Sequence, residues 1–395
     1  VRILIAAHNF PRQAADMPGA FLLSLARELS RLGHDVMVVA PHAAGLAMAE
    51  TIAGIPVRRF RYGPDRAETL AYAGTMHEQV LRSWSARVRM LQFVRAFRRA
   101  VRDAVHDLHP DVLHVHWWFP GGLTVWPRGR LGNVPVVLTS HGTDLFLLDR
   151  FRAARILAAR VFRQAARVTV ISSPLVPRVV ALGVPAERIT VVPMPLDATT
   201  FPAVPAANPR EHDLVLFVGR LIERKGAEFA IRALTELPEA RLALAGDGPE
   251  RSALEGLVHA LGLDRRVTFL GTLAPEAVAA QYRRATVLVF PAVTDWKGEQ
   301  EGFGMVLVEA MRSGLPIVAT RSGGIPDVIA DQRTGLLVAE RDPAALARAV
   351  GSLLRDPALA GRLAAAAQDD VAQRFAPEHI ARVFDEVYRR AAQAV

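Results

Sequence analysis

Runs of apolar, β-branched residues alternate with helically spaced apolar residues along the whole chain. Strand-like runs fall at residues 2–6, 35–40, 57–60, 112–116, 134–139, 167–171 and 189–192, with helical spacing between them, as at 19–32 and 151–166. Near-continuous apolar strands separated by helices predict a parallel sheet covered on both faces. Residues 201–213 are rich in Pro and Ala, break the pattern and read as a linker. A second series of strands follows at 214–219, 241–246, 267–270, 287–290, 316–319 and 335–338. The predicted fold class is therefore α/β: two doubly wound parallel-sheet domains, residues 1–207 and 208–376, facing a cleft between them. Ligands of such sheets bind beyond the carboxyl ends of the strands. Residues 377–394 predict one last helix, with Ile380, Val383, Phe384 and Val387 at helical spacing. It needs a surface to cover, and residues 377–395 can return to the first domain for it.

Composition narrows the class. No apolar run reaches the length of a membrane span. The opening Val1-Arg2-Ile3-Leu4-Ile5 reads as a strand and not as a signal peptide. Cysteine is absent, which removes disulfides, thiolate metal sites and a cysteine nucleophile. These features point to a cytoplasmic protein. The formal charge of +9 is uneven: residues 1–207 hold 25 Arg and no Lys against 14 acids, a surplus of +11. That asymmetry directs the first half toward something anionic. Residues 80–105 form an Arg-studded amphipathic helix, with Leu81, Trp84, Val88, Leu91, Val94, Val101 and Val105 in one stripe. Its basic face, from Arg82 to Arg102, is either a solvated surface or one that meets anionic lipid at the inner face of a membrane. No nucleic-acid module is present.

Chemistry concentrates in the second half. Gly219-Arg220 ends a strand and Lys225-Gly226 opens the next helix. Two cations five residues apart around a turn can both reach one pyrophosphate, and a helix amino terminus adds unpaired N–H groups. Alone, the same turn is equally an ordinary strand–helix connection. Further on, Glu301 precedes Gly302-Phe303-Gly304, and a helix is predicted to begin near Met305. Glu309 then lies among Val306, Leu307, Val308 and Met311, where a carboxylate needs hydrogen-bond donors. Ribose hydroxyls would supply them, as would a local cap or ion pair.

Taken in order, Gly219-Arg220, Lys225-Gly226, Gly246-Asp247-Gly248-Pro249, Glu301-Gly302-Phe303-Gly304, Glu309 and Ser322-Gly323-Gly324-Ile325-Pro326 resemble the retaining glycosyltransferases of family 4, which have the GT-B fold of two Rossmann-like domains. In the first half, His141-Gly142-Thr143-Asp144, Val170-Ile171-Ser172 and Val192-Pro193-Met194-Pro195-Leu196-Asp197 are similar to the same family. The resemblance implies a nucleotide-diphosphate sugar as co-substrate, UDP- or GDP-linked. Arg220 and Lys225 would bind its diphosphate, and Glu309 its ribose. Glu301 with Gly302 and the amides of Phe303 and Gly304 would hold the transferred sugar. His141 would lie near the reacting carbon, and the backbone at Leu273 would meet the base. The first loop departs from the family: Asp16-Met17-Pro18-Gly19-Ala20 has one glycine, Gly19, where a pair is common. Asp327 replaces the usual Glu after Ile-Pro.

The expected reaction moves a hexosyl unit to a hydroxyl of a saccharide or lipid-linked saccharide. The leaving diphosphate accepts charge from Arg220, Lys225 and helix-end amides. No Asp-x-Asp motif or histidine cluster marks a metal site, so neither metal nor cofactor is expected. A glycosidase, the other use of paired carboxylates, has no need of the two phosphate-gripping cations. An epimerase or phosphorylase on the same fold, or a non-catalytic nucleotide-sugar-binding module, stays open. On the acceptor side, His116, Trp117 and Asp144 are the candidates. Trp117 and Trp118 are either sugar-stacking rings or core.

Overall fold

The computed structural model describes residues 1–395 except 15, 17–18, 73–75, 77–78, 81–82, 128–130, 197–199, 205–209 and 394–395. The chain divides into two compact units, one built from residues 1–195 and 377–395, the other from 196–376.

The first unit holds β1 (Arg2–Ala6), β2 (Asp35–Pro41), β3 (Ala49–Ile52), β4 (Ile55–Phe60), β5 (Val112–His116), β6 (Val136–Ser140), β7 (Arg167–Val170) and β8 (Ile189–Val191). They lie in the order β3-β4-β2-β1-β5-β6-β7-β8. Strands β1, β5 and β6 are buried almost throughout, as strands covered on both faces must be. β3 pairs antiparallel with β4, unlike its neighbours, and the sequence pattern does not predict it. It is a short edge strand with one fully buried apolar side chain, Ile52. Ala53 and Gly54 both take positive φ between it and β4, the two-residue hairpin turn.

The helix Pro377–Ala392 belongs to this unit. Ile380, Phe384, Val387 and Tyr388 join the core formed by β1, β2 and the helix Ala20–Arg31. The Tyr388 hydroxyl lies 2.7 Å from His114 Nδ1, a fully buried hydrogen bond.

The second unit holds β9 (Leu214–Val218), β10 (Arg241–Ala245), β11 (Val267–Gly271), β12 (Val287–Phe290), β13 (Ile317–Thr320) and β14 (Leu336–Val338), in the order β11-β10-β9-β12-β13-β14 and all parallel. The order reverses direction between β9 and β12, the switch point where open α/β sheets bind ligands.

The helix Trp84–Leu108 corrects the sequence reading of its face. Its buried side chains are Ala86, Met90, Phe93, Phe97, Val101 and Ala104. Of the apolar stripe read from the sequence, Trp84, Val88 and Leu91 are 76%, 42% and 60% exposed. The helix carries two apolar stripes, and the one with two phenylalanines wins the core because rings bury more area. Arg82 and Leu81 lie outside the described residues. Among the described residues no helix is long and apolar enough to cross a membrane.

Candidate functional site

In the second unit four glycine-bearing loops follow the carboxyl ends of β9, β10, β12 and β13. After β9, Gly219 and Leu221 donate to Ala245 and Asp247 of the loop after β10. A Cβ on Gly246 would sit 1.9 Å from the Gly219 oxygen, so that position needs glycine. Lys225 ends a single 3-10 turn, Glu223–Lys225, and the following helix starts at Ala227, one residue past Gly226.

Arg220 follows Gly219 in the loop after β9 and is exposed. Among the described residues it has no carboxylate partner. Lys225 differs: its Nζ lies 2.5 Å from Glu301 Oε2 and 4.9 Å from the Phe290 ring centre. Burial alone would raise the Glu301 carboxyl, but the Lys225 ammonium, Arg224 and the Phe303 amide hold it below the usual carboxylate range. Arg224 in turn pairs with Glu299 at 2.7 Å. The Phe303 N–H is thus directed at Glu301's own carboxylate, while the Phe303 ring is core beside Phe375.

The Ser322-Gly323-Gly324 turn explains how Glu301 is held. Gly324 N donates to the main-chain carbonyl oxygen of Glu301 at 2.9 Å, and a Cβ on Gly323 would come within 2.1 Å of that atom. The helix Met305–Arg312 starts after Gly304, whose φ of 89° is open to glycine. Glu309 sits on it, half-buried, and accepts a 2.8 Å hydrogen bond from the Tyr282 hydroxyl. Sequence reasoning missed Tyr282. The signal available was the one aromatic residue of the helix Pro275–Arg284, near its end. Leu273 is half-buried in the loop between β11 and that helix.

The first unit places its candidates around one carboxylate. Asp144, buried, accepts from Trp118 N at 3.1 Å, Ser140 Oγ at 2.7 Å and His141 N at 3.2 Å. Burial raises its carboxyl above the ordinary value against those donors. Asp144 therefore fixes the loop that carries His141. The His141 ring stacks on Trp117 with centroids 4.0 Å apart, and its Nε2 lies 3.0 Å from His116 Nδ1. Burial pushes His141 down to about 3 and His114 to about 3. His116 is also held well below its ordinary value, by burial and then by the neighbouring histidines. At 1% exposure it is core and not a surface contact. Trp118 is core as well, whereas Trp117 borders a pocket. Gly19 caps the helix Ala20–Arg31 at φ 80°, and a Cβ there would meet the Asn9 oxygen at 2.3 Å. Met17 and Pro18, the departure noted in that loop, lie outside the described residues, as does Asp197.

Away from these residues, His42, Asp65 and Glu68 bring three possible metal ligands within 4.8 Å of one another. Both His42 nitrogens already face protein oxygens, Glu68 at 2.5 Å and the Leu46 carbonyl at 2.8 Å, and Arg61 pairs with Asp65. The group satisfies itself as a hydrogen-bonded ion cluster.

Comparison with known proteins follows the same division. The family model for glycosyl transferases group 1 matches residues 203–370, and that for the glycosyl transferase 4-like domain matches residues 18–195. A D-inositol 3-phosphate glycosyltransferase of Frankia alni is 31% identical over 379 residues, covering 88% of this chain and 88% of its own. Sucrose-phosphate synthase of Thermosynechococcus elongatus aligns over 100% of both chains at 25% identity and a TM-score of 0.78. HepE of Anabaena, in complex with UDP-glucose, is alike in fold over 98% of this chain and 99% of its own, at 21% identity and a TM-score of 0.68.

Proposed function

Because the chain belongs to the family 4 glycosyltransferases and has their GT-B fold, we propose that it moves a hexosyl unit, with retention, from a nucleotide-diphosphate sugar to a hydroxyl of a saccharide or lipid-linked saccharide. One observation carries this reading: the Lys225–Glu301 ion pair at the switch point of the second sheet, where the loop after β9 also carries the exposed Arg220, which has no carboxylate partner among the described residues. Cleaving the bond between the anomeric carbon and the diphosphate builds negative charge on the leaving oxygen. The Lys225 ammonium, held by Glu301, and the Arg220 guanidinium stabilise that charge more than the ground state. Glu301 holds the ammonium in place, and Glu309, oriented by Tyr282, accepts from the ribose. These cations take the part that a metal plays elsewhere. The neighbour that holds UDP-glucose supports a donor of this type.

A thermal-shift screen of nucleotide diphosphates and their sugars tests donor binding, and ligand-dependent stabilisation should pick out one base. Release of the nucleotide diphosphate should then require a saccharide acceptor. Turnover without an acceptor would identify an epimerase, and binding without turnover a binding module. The anomeric configuration of the product tests retention, and an unchanged rate in EDTA tests metal independence.

A second reading concerns where the enzyme works. Trp84, Val88, Leu91, Arg95, Arg98 and Arg102 repeat at spacings of three and four, so they form one stripe of the helix Trp84–Leu108. Its first half is exposed and apolar. Its second half is basic, and among the described residues no carboxylate pairs with Arg95, Arg98, Arg99 or Arg102. We assign this stripe to an anionic membrane surface.

A further inference from the structure

The first unit carries a pocket of about 260 Å3 at the carboxyl ends of β1, β5 and β6. Its walls include Tyr72, Trp117 and Phe119, with Asn9, Thr143 and Asp144 supplying polar atoms. Tyr72 and Trp117 share an unusual backbone: their φ angles are +67° and +61°. Bulky residues avoid this region, and such an outlier persists only where its surroundings enforce it.

Both residues are enforced. The fully buried Arg59 guanidinium donates to the Tyr72 hydroxyl at 3.0 Å, to Pro41 O at 3.1 Å and to Pro11 O at 3.0 Å, and it pairs with Glu50. The Tyr72 hydroxyl donates onward to Pro41 O at 2.8 Å. Trp117 N donates to Thr139 O at 2.8 Å, and the Trp117 carbonyl accepts from Gly122 N at 2.9 Å. Its ring is stacked on His141. Two aromatic side chains are thus strained into one pocket and locked there before any ligand arrives.

The charge pattern of the pocket is as informative as its shape. Among the described residues no free cation lines it. The Arg12 guanidinium lies 5.4 Å from the Tyr72 ring centre and is held by Asp16 through bonds of 2.6 and 3.0 Å. Arg59 is spent on the acceptors named above. His8 is pushed down to about 4 by burial, so it is neutral near pH 7. The helix Thr143–Arg150 starts at the pocket, but Asp144 occupies its first turn and offsets the partial positive charge of that end. A phosphate entering here would meet a carboxylate and no counter-charge.

We propose that this pocket takes the acceptor as an uncharged sugar ring, laid against Tyr72 and Trp117, and that it discriminates against phosphorylated acceptors. The C–H face of a pyranose carries partial positive charge and suits the negative face of an aromatic ring, while Asn9 and Thr143 are within the same wall for the hydroxyls. The inference rests on the transferase reading given above and assigns that reaction its acceptor class.

The test uses the full chain with the donor picked out by thermal shift. Nucleotide diphosphate release is measured with neutral methyl glycosides and with the same sugars carrying a phosphate. Neutral glycosides should be used at least roughly tenfold more efficiently, a difference of about one unpaired charge contact. Tyr72→Ala and Trp117→Leu should each raise the acceptor KM by roughly tenfold, with the donor KM little changed. Because Tyr72 is braced inside the fold, Tyr72→Phe is the companion variant: it keeps the ring and should keep most of the acceptor affinity. Leu147→Lys, which adds a cation to the wall, should raise the use of phosphorylated acceptors. Preference for phosphorylated acceptors, or ring variants with unaltered acceptor KM, would overturn the inference while leaving the transferase reading intact. Absence of both nucleotide-dependent stabilisation and release would remove the transferase reading, and this inference with it.

Discussion

At the scale of single residues, the second unit separates groups that are held from groups that are free. Lys225 and Glu301 hold each other, Glu309 is held by Tyr282, and among the described residues Arg220 has no carboxylate partner. Lys225→Ala should lower kcat at saturating donor by about 10²–10³, the usual loss for one donor aimed at developing charge. It should also lower Tm, because Glu301 is left buried without its partner. Glu309→Gln is the sharper test of the ribose assignment. The amide oxygen still accepts from Tyr282, so stability should stay within about 1 kcal/mol. Donor affinity should fall by roughly tenfold, since one acceptor oxygen becomes an NH2. Unaltered donor affinity would mean that the carboxylate serves contacts within the protein and not the ribose. The motif residues Glu301 and Glu309 were legible from sequence because glycines and apolar neighbours make their positions chemically expensive. Their partners were not, since Tyr282 and Lys225 reach them across 27 and 76 residues of chain.

At the scale of elements, strands were legible and helix faces less so. β5 and β9 are runs in which nearly every side chain is buried, and such runs have one reading. β3 has one fully buried apolar residue and is recognisable only from its partner β4. The spacing of the helix Trp84–Leu108 supports two stripes, and the one with Phe93 and Phe97 takes the core while Trp84 and Leu91 stay exposed. That correction raises the interest of its outer face. Each basic residue near an anionic leaflet is worth about 1 kcal/mol. Replacing Arg95, Arg98 and Arg99 with Gln should therefore reduce partitioning onto phosphatidylserine-containing vesicles by about two orders of magnitude. Trp84→Ser should weaken it further even at high salt, where charge is screened. Sedimentation with anionic and zwitterionic vesicles measures both effects, and equal recovery of variant and parent would leave the stripe a solvated surface.

At the scale of the molecule, the two units differ in what they bury. The first unit encloses His8, His114, His116 and His141, all held below their ordinary value by burial. The second unit's histidines, His212 and His259, are exposed. A histidine kept neutral in the fold takes up a proton on unfolding at any pH between its folded and unfolded values. Stability is then full above about pH 6.5 and declines as pH falls toward 4 and 3, by up to about 1.4 kcal/mol per pH unit for each such histidine. Glu301 behaves in the opposite chemical sense but with the same slope. Its carboxyl is lowered in the fold, so its contribution is present above the ordinary carboxylate range and lost below it. The first unit should therefore weaken between pH 6.5 and 5, where the second is still intact. Scanning calorimetry across that range should resolve one transition into two, the earlier one moving down with pH. His114→Gln should flatten the earlier transition's pH dependence by about one proton, even though it disturbs the Tyr388 and Thr139 contacts. A single transition with no shift between pH 7 and 5 would show that these rings find water or protons within the native state.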